Sequence, residues 1–443
     1  MTIDTTPARR RLAPFLLYAA LCAGVPALLA APALAQAQPQ AQPQAPGVRP
    51  GISVLMTDSV HLVRGKRVAL LTNQSGIDEH GVSDIDRLSD AAAQAAGVRL
   101  VALFAPEHGI RGTEDRTNLV GGRDEKSGVV IHSLYGRTTT APPDSTLRGV
   151  DVLLVDLQDL GARPWTYPAS MLYTLRAAAR NRVPMLLLDR PNPITGTHVE
   201  GPIVDSALTN AEDDAPGKHA QPTSIFPVPL RHGLTMGEMA RFYNDALHIG
   251  AQLTVIPAAG WRRSQWFDET GLPWVRPSPN MPSLTSATFY PGIVILEPSN
   301  LSVGRGTDSA FQHFGAPWLH APAVAARLAA LNLPGIRFGA ETFTPVKPGD
   351  SKYNGREIPG VHMWITDRDA FDATLTAAAI IWAVGREHPD SLKLRDVGFD
   401  RTFGGVGLRE ALLRGDDPLQ VLGRTRDEVA AFRQRLAPYL LYR

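Results

Sequence analysis

The 443 residues suffice for two or three domains at roughly 150 residues each. With 44% hydrophobic and 20% charged residues the composition is that of a globular protein, neither disordered nor polytopic. Lys plus Arg number 44 against 43 Asp plus Glu, so no broad basic face is available for nucleic acid. A single Cys excludes both a disulfide framework and a cysteine-based zinc site.

The chain starts with an address. Arg9, Arg10 and Arg11 precede an apolar run that ends in Ala33-Leu34-Ala35. This is the pattern of a signal peptide spanning residues 1–35, cut after Ala35, and it predicts a periplasmic or secreted protein. An uncleaved anchor is the alternative. Pro14, Pro26 and Pro32, together with the A-x-A site, weigh against it and leave no integral membrane segment after cleavage. Cleavage removes Cys22, and a cysteine-free chain suits an oxidising compartment. Residues 36–50, rich in Gln, Ala and Pro, read as an extended, mobile linker.

From residue 67 short apolar runs recur at 67–73, 99–105, 128–134, 150–156, 184–189 and 253–257. They read as buried strands. Between them lie helical stretches. One opens at Ser83 and carries Ile85, Leu88, Ala92 and Ala95 on one face. Another covers 169–181, and a third starts at Thr235 with Glu238 completing a capping box. The alternation predicts an α/β fold: a parallel sheet domain over 51–290, covered on both faces. Residues 291–443 read as a smaller α+β domain. It has helices near 322–331, 369–385 and after Thr425, and a strand pair near 335–345 and 360–366.

Polar motifs follow the strands: TNQSG (72–76), PEHGIRG (106–112), DLQDLGARPWTYP (156–168) and DRPNPITG (189–196). In a parallel sheet the loops at the carboxyl ends of the strands share one crevice, so these four should converge on one ligand site. Two long loops downstream, RPSPNMP (276–282) and 297–311, are further candidates.

The chemistry narrows by exclusion. G-x-S-x-G, S-x-x-K, H-E-x-x-H and the P-loop are all missing, and GRGTDS (304–309) lacks the third glycine of a dinucleotide site. Neither metal nor cofactor is expected. Carboxylates, arginines, amides and aromatics remain, a set that suits sugar chemistry. Glu107, at the rim of an apolar sheet, is the candidate general acid with an expected raised pKa; a structural carboxylate is the alternative. Arg163, Trp165 and Tyr167 would share one side of an extended segment. Arg163 paired with Asp159, and Asp189 paired with Arg190, are the structural alternatives there. Asn73, Gln74, His108, Gln158, Arg190, Asn192, Asn280 and Arg305 complete the candidate binding set. His232 and His313 read as ordinary surface or packed histidines.

Taken together, FAPEHGIRG (104–112), SLYG (133–136), DLQDLGARPWTY (156–167), LDRPNPITG (188–196), EGPI (200–203), RHGLTMGE (231–238), SPNMP (278–282), NLSVGRGT (300–307) and YLLY (439–442) resemble the bacterial exo-β-N-acetylmuramidases, the NamZ-like family. The resemblance runs from about residue 51 to the end. It implies release of N-acetylmuramic acid from the non-reducing ends of peptidoglycan fragments, a Rossmann-like domain over 51–290, a smaller C-terminal domain over 291–443 that completes a cleft between them, no metal, and Glu107 as the acid. The second catalytic group stays open among Asp156, Asp159, Glu200, Glu297 and the substrate's own acetamido oxygen. An Arg should read the lactyl carboxylate, with Arg163 first, then Arg305 and Arg190. A glycan-binding protein without catalysis is the runner-up; an esterase or amidase lacks its nucleophile motif.

Overall fold

The computed structural model describes residues 47–113, 121–135, 140–209 and 223–443. The expected signal peptide and residues 36–46 of the linker lie outside them. Residues 47–50 are docked, contrary to the expectation of a mobile linker. Val48 is buried with Ala258, Trp261 and Tyr442, and Arg49 bridges Ala259 through the backbone.

Among the described residues the strands are β1 (Arg67–Thr72), β2 (Arg99–Ala105), β3 (Gly122–Arg123), β4 (Val130–Ser133), β5 (Val152–Asp156), β6 (Met185–Leu188), β7 (Glu200–Ile203), β8 (Pro229–Arg231), β9 (Leu253–Ile256), β10 (His313–Gly315), β11 (Ile336–Phe343) and β12 (Ile358–Ile365). Seven form the main sheet in the order β3-β4-β2-β1-β5-β6-β9, parallel except for β3 against β4. The order reverses between β1 and β5, which is where an open parallel sheet leaves its ligand crevice.

Both faces of this sheet are covered, as continuous apolar strands require. Val68, Leu70, Val152, Leu154 and Leu186 pack to one side with Ile52 and Leu55 of the helix Gly51–Asp58. Ala69, Leu71, Leu153, Val155 and Leu187 face the other way, into a core that continues through the helices Tyr167–Asn181 and Ala373–Glu387 to Leu436. That second core runs through both halves of the chain, and the described residues form one compact unit. The expected boundary at 290/291 falls inside the helix Leu284–Ile293.

The C-terminal half holds the antiparallel sheet β10-β12-β11. It also holds the helices Asp396–Phe403, Val406–Arg414, Pro418–Gly423 and Arg426–Leu436, the first three without a counterpart in the sequence reading. The helix expected from Ser83 is two short ones, Asp84–Arg87 and Ala91–Ala95, because Asp90 caps a new start at the N–H of Ala93. The capping box at Thr235 forms with both of its bonds.

Candidate active site

The four polar loops do converge. Asn73 donates to the Tyr167 hydroxyl at 2.8 Å, the Gln158 N–H donates to Ser75 at 3.2 Å, and Gln158 donates to the Pro191 carbonyl at 2.9 Å. Thr166 donates to Glu107 at 2.5 Å. Most of this polar layer is spent on itself, however, and forms a buried floor.

Arg190 is buried and gripped by Asp156, with Asp84 at 3.8 Å and the Ile77 carbonyl at 2.6 Å. Burial, together with Asp156, holds the Asp84 carboxyl well above the usual range; burial also raises Asp156. Asp156 and Arg190 are therefore structural partners, and Asp189 is not the arginine's partner. Asp189 instead accepts from Thr235, Gly237 and Tyr442.

Asp159 is buried, accepts from the Gly161 N–H at 2.8 Å and faces His232 at 3.4 Å. Asn192 ties the Leu234 carbonyl to the Ile194 N–H. Asn73 accepts both donors of Ser75. Gln74 donates to the Arg276 carbonyl, and Asn280 donates its N–H to Ser278.

Arg163 corrects the sequence reading. Residues 161–166 form a turn, closed by the Trp165 N–H on the Ala162 carbonyl, so the alternation over 163, 165 and 167 is lost. Arg163 points into the protein and donates to the carbonyls of Pro202 at 2.7 Å, Val228 at 2.8 Å and Thr402 at 2.7 Å. Burial lowers its pKa to about 9. Tyr167 is buried as well, donating to the Pro277 carbonyl. Neither residue reaches the cleft.

The cleft itself has a volume of about 410 Å³ and lies between the loop ends and the C-terminal half. Glu107 and His108 line one side, and Trp165 and Tyr290, edge to face at 5.5 Å, supply an aromatic wall. Glu297 and Arg305, an ion pair, come from the 297–311 loop. Arg395, Arg401 and Thr402, on and beside the helix Asp396–Phe403, complete the rim. Of the candidates, Glu107, His108, Glu297 and Arg305 are thus brought together. His108 takes a left-handed backbone, φ 69°, in the turn that presents Glu107.

Glu200 does not join them. It pairs with Arg231 at 2.7 Å and lines a separate cavity of about 220 Å³ with Asp372, Arg426 and Arg433. Burial, opposed by Arg231, pushes its carboxyl up to about 8.

Sequence reasoning missed Tyr135, Thr166 and Ser278, although all three stand in quoted motifs, the last two close to a candidate. It also missed Tyr290, hidden in an apolar run, and Arg395, Arg401 and Thr402, which carry no motif.

Two family models match the chain: exo-β-N-acetylmuramidase NamZ, N-terminal, over residues 68–285, and its C-terminal counterpart over 288–442. The chain belongs to the NamZ family. The peptidoglycan β-N-acetylmuramidase NamZ of Bacillus subtilis (strain 168) is 36% identical over 393 residues, covering 88% of this chain and 90% of that one. A crystal structure of a DUF1343 family protein from Bacteroides fragilis NCTC 9343 superposes with a TM-score of 0.79 at 32% identity, covering 89% of this chain and 99% of the other. A second DUF1343 protein of that strain gives 0.69 at 27% identity, with the same coverage. The NamZ models meet between 285 and 288, at the start of the helix Leu284–Ile293.

Proposed function

We propose that this NamZ-family glycoside hydrolase releases N-acetylmuramic acid from the non-reducing ends of peptidoglycan fragments, with Glu107 as general acid. The observation that carries the reading is the placement of Glu107. It is the acid from the sheet's carboxyl edge that lines the cleft, while Asp156 and Asp159 lie buried beneath it. Thr166 holds one carboxylate oxygen and so aims the group. A volume of about 410 Å³ sits at the small end of the roughly 300–1,000 Å³ typical of ligand pockets, which suits one terminal sugar more than a long glycan strand. Trp165 and Tyr290 offer apolar surface for a ring face.

Reading the lactyl carboxylate falls to Arg305, Arg395 and Arg401, the guanidinium groups at the rim, in place of Arg163 and Arg190. Glu297, the other acid lining the cleft and paired with Arg305, is the candidate second catalytic group. The family and the apolar leader expected at 1–35 both support an extracytoplasmic location. No helix among the described residues is long and apolar enough to cross a membrane. The test replaces each rim Arg by Met and compares kcat/KM on chromogenic β-glycosides of N-acetylmuramic acid and N-acetylglucosamine. The reader loses the first activity selectively, by roughly 10- to 150-fold for a charge-assisted pair worth about 1.5–3 kcal/mol. An unchanged ratio in all three variants refutes an arginine reader.

A further inference from the structure

The antiparallel sheet β10-β12-β11 carries a cluster that the hydrolytic cleft does not use. We propose that His313, Glu341 and His362 bind a divalent ion of the zinc class, which braces the loop bearing Arg305.

The register brings the three together. His313 on β10 stands opposite His362 on β12, and Glu341 on β11 stands opposite Gly360, on the same face as His362. The Nδ1 atom of His313 lies 2.6 Å from Glu341 Oε1, and that of His362 lies 3.2 Å from Oε2. One ligand atom from each residue falls within 4.8 Å of the others. Bonds of about 2.0–2.2 Å to a tetrahedral ion set its ligands about 3.3 Å apart, so small side-chain adjustments suffice. Two imidazoles and a carboxylate suit zinc, copper or nickel over calcium or magnesium.

The Thr307 hydroxyl donates to the Gly304 carbonyl at 2.7 Å, and its oxygen lies 3.1 Å from His313 Nε2. With Nδ1 on a metal ion, Nε2–H would donate to that oxygen, the outer bond a ligating histidine makes. Three convergent ligands with one partly open side favour the metal. His313 is buried, its ring stacked 3.9 Å from Phe343, whereas Glu341 and His362 are 28% and 16% exposed and leave a fourth position for water.

The same bond gives the site a role. The contact between His313 Nε2 and Thr307, and the bond from Thr307 to Gly304, tie the cluster to the turn around Arg305. Gly304 has φ +77°, and a Cβ there would lie 2.2 Å from the His313 ring, so turn and ring are fitted to each other. None of the three ligands lines the cleft, so the ion acts as a brace and takes no part in bond cleavage. This inference stands apart from the assignment of Glu107.

The test uses the protein purified without a polyhistidine tag, stripped with chelator and dialysed. Zinc is titrated by calorimetry, and cobalt(II) by its ligand-field absorption. We expect one equivalent bound with a Kd of about 1 µM or tighter, and a thermal midpoint that rises on addition of zinc. His362→Ala and the isosteric Glu341→Gln should each weaken binding by at least about 100-fold, the upper end of what loss of a merely supporting group costs. Circular dichroism on both variants separates lost binding from lost fold. Absence of saturable binding up to about 1 mM, or binding undiminished in folded His362→Ala and Glu341→Gln, overturns the proposal and leaves a proton between His313 and Glu341.

Discussion

Replacing Arg163 by Met separates a bracing arginine from a substrate-reading one. Three carbonyls, of Pro202, Val228 and Thr402, lose their donor at once. A buried acceptor left unpaired costs about 1–3 kcal/mol, so the gross loss is roughly 3–9 kcal/mol. Removing the desolvation penalty of a buried cation returns several kcal/mol, for a net destabilisation of roughly 2–5 kcal/mol. With an unfolding entropy of about 2.1 cal/mol/K per residue over about 400 residues, the midpoint should fall by roughly 2–6 °C. Because Thr402 lines the cleft, both glycoside activities should decline together. The assays are calorimetric unfolding and kcat/KM on the two chromogenic glycosides. A variant as stable as the wild type that has lost only its muramic acid activity would refute the bracing role and return Arg163 to the substrate.

Three further outcomes follow from buried contacts. Tyr442→Phe removes a 2.6 Å bond to Asp189 and the acceptor for the Ala258 N–H, and should cost about 1–3 kcal/mol in urea unfolding. Burial pushes Asp189 up to about 7, so the folded state keeps a proton that the unfolded chain has lost above about pH 4. Stability therefore falls as pH rises from about 4 to 7, by up to about 4 kcal/mol at 1.36 per unit. Asp189→Asn should flatten that slope, and an unchanged profile would contradict the assignment. Gly292→Ala places a Cβ 1.8 Å from the Ala373 carbonyl, where two helices join the halves of the chain. Overpacking there should destabilise by about 1–3 kcal/mol, read by thermal unfolding.

The parallel sheet was legible because strands buried on both faces spell unbroken apolar runs, as in 67–72 and 152–156. The convergence of the polar loops followed from topology alone. Which polar residues face the cleft did not, since that depends on turns the residues do not announce. The turn at 161–166 sends Arg163 inward and Trp165 outward. Asp156 and Arg190 lie 34 positions apart and meet only once β5 and β6 pair. Glu107 was visible because it stands two residues past the end of β2, beside glycines at 109 and 112. Arg395 and Arg401 come from a short amphipathic helix whose sequence resembles any solvent-facing segment, so only the assembled fold shows them at the rim.

The central claim turns on one carboxylate. Glu107→Gln keeps the size of the side chain and a partner for Thr166, so folding should survive, as circular dichroism will report. Turnover of the chromogenic N-acetylmuramic acid glycoside should drop by about 10²–10⁴-fold, the usual contribution of general acid–base catalysis. A folded Glu107→Gln enzyme that hydrolyses it at near wild-type rate would contradict the account.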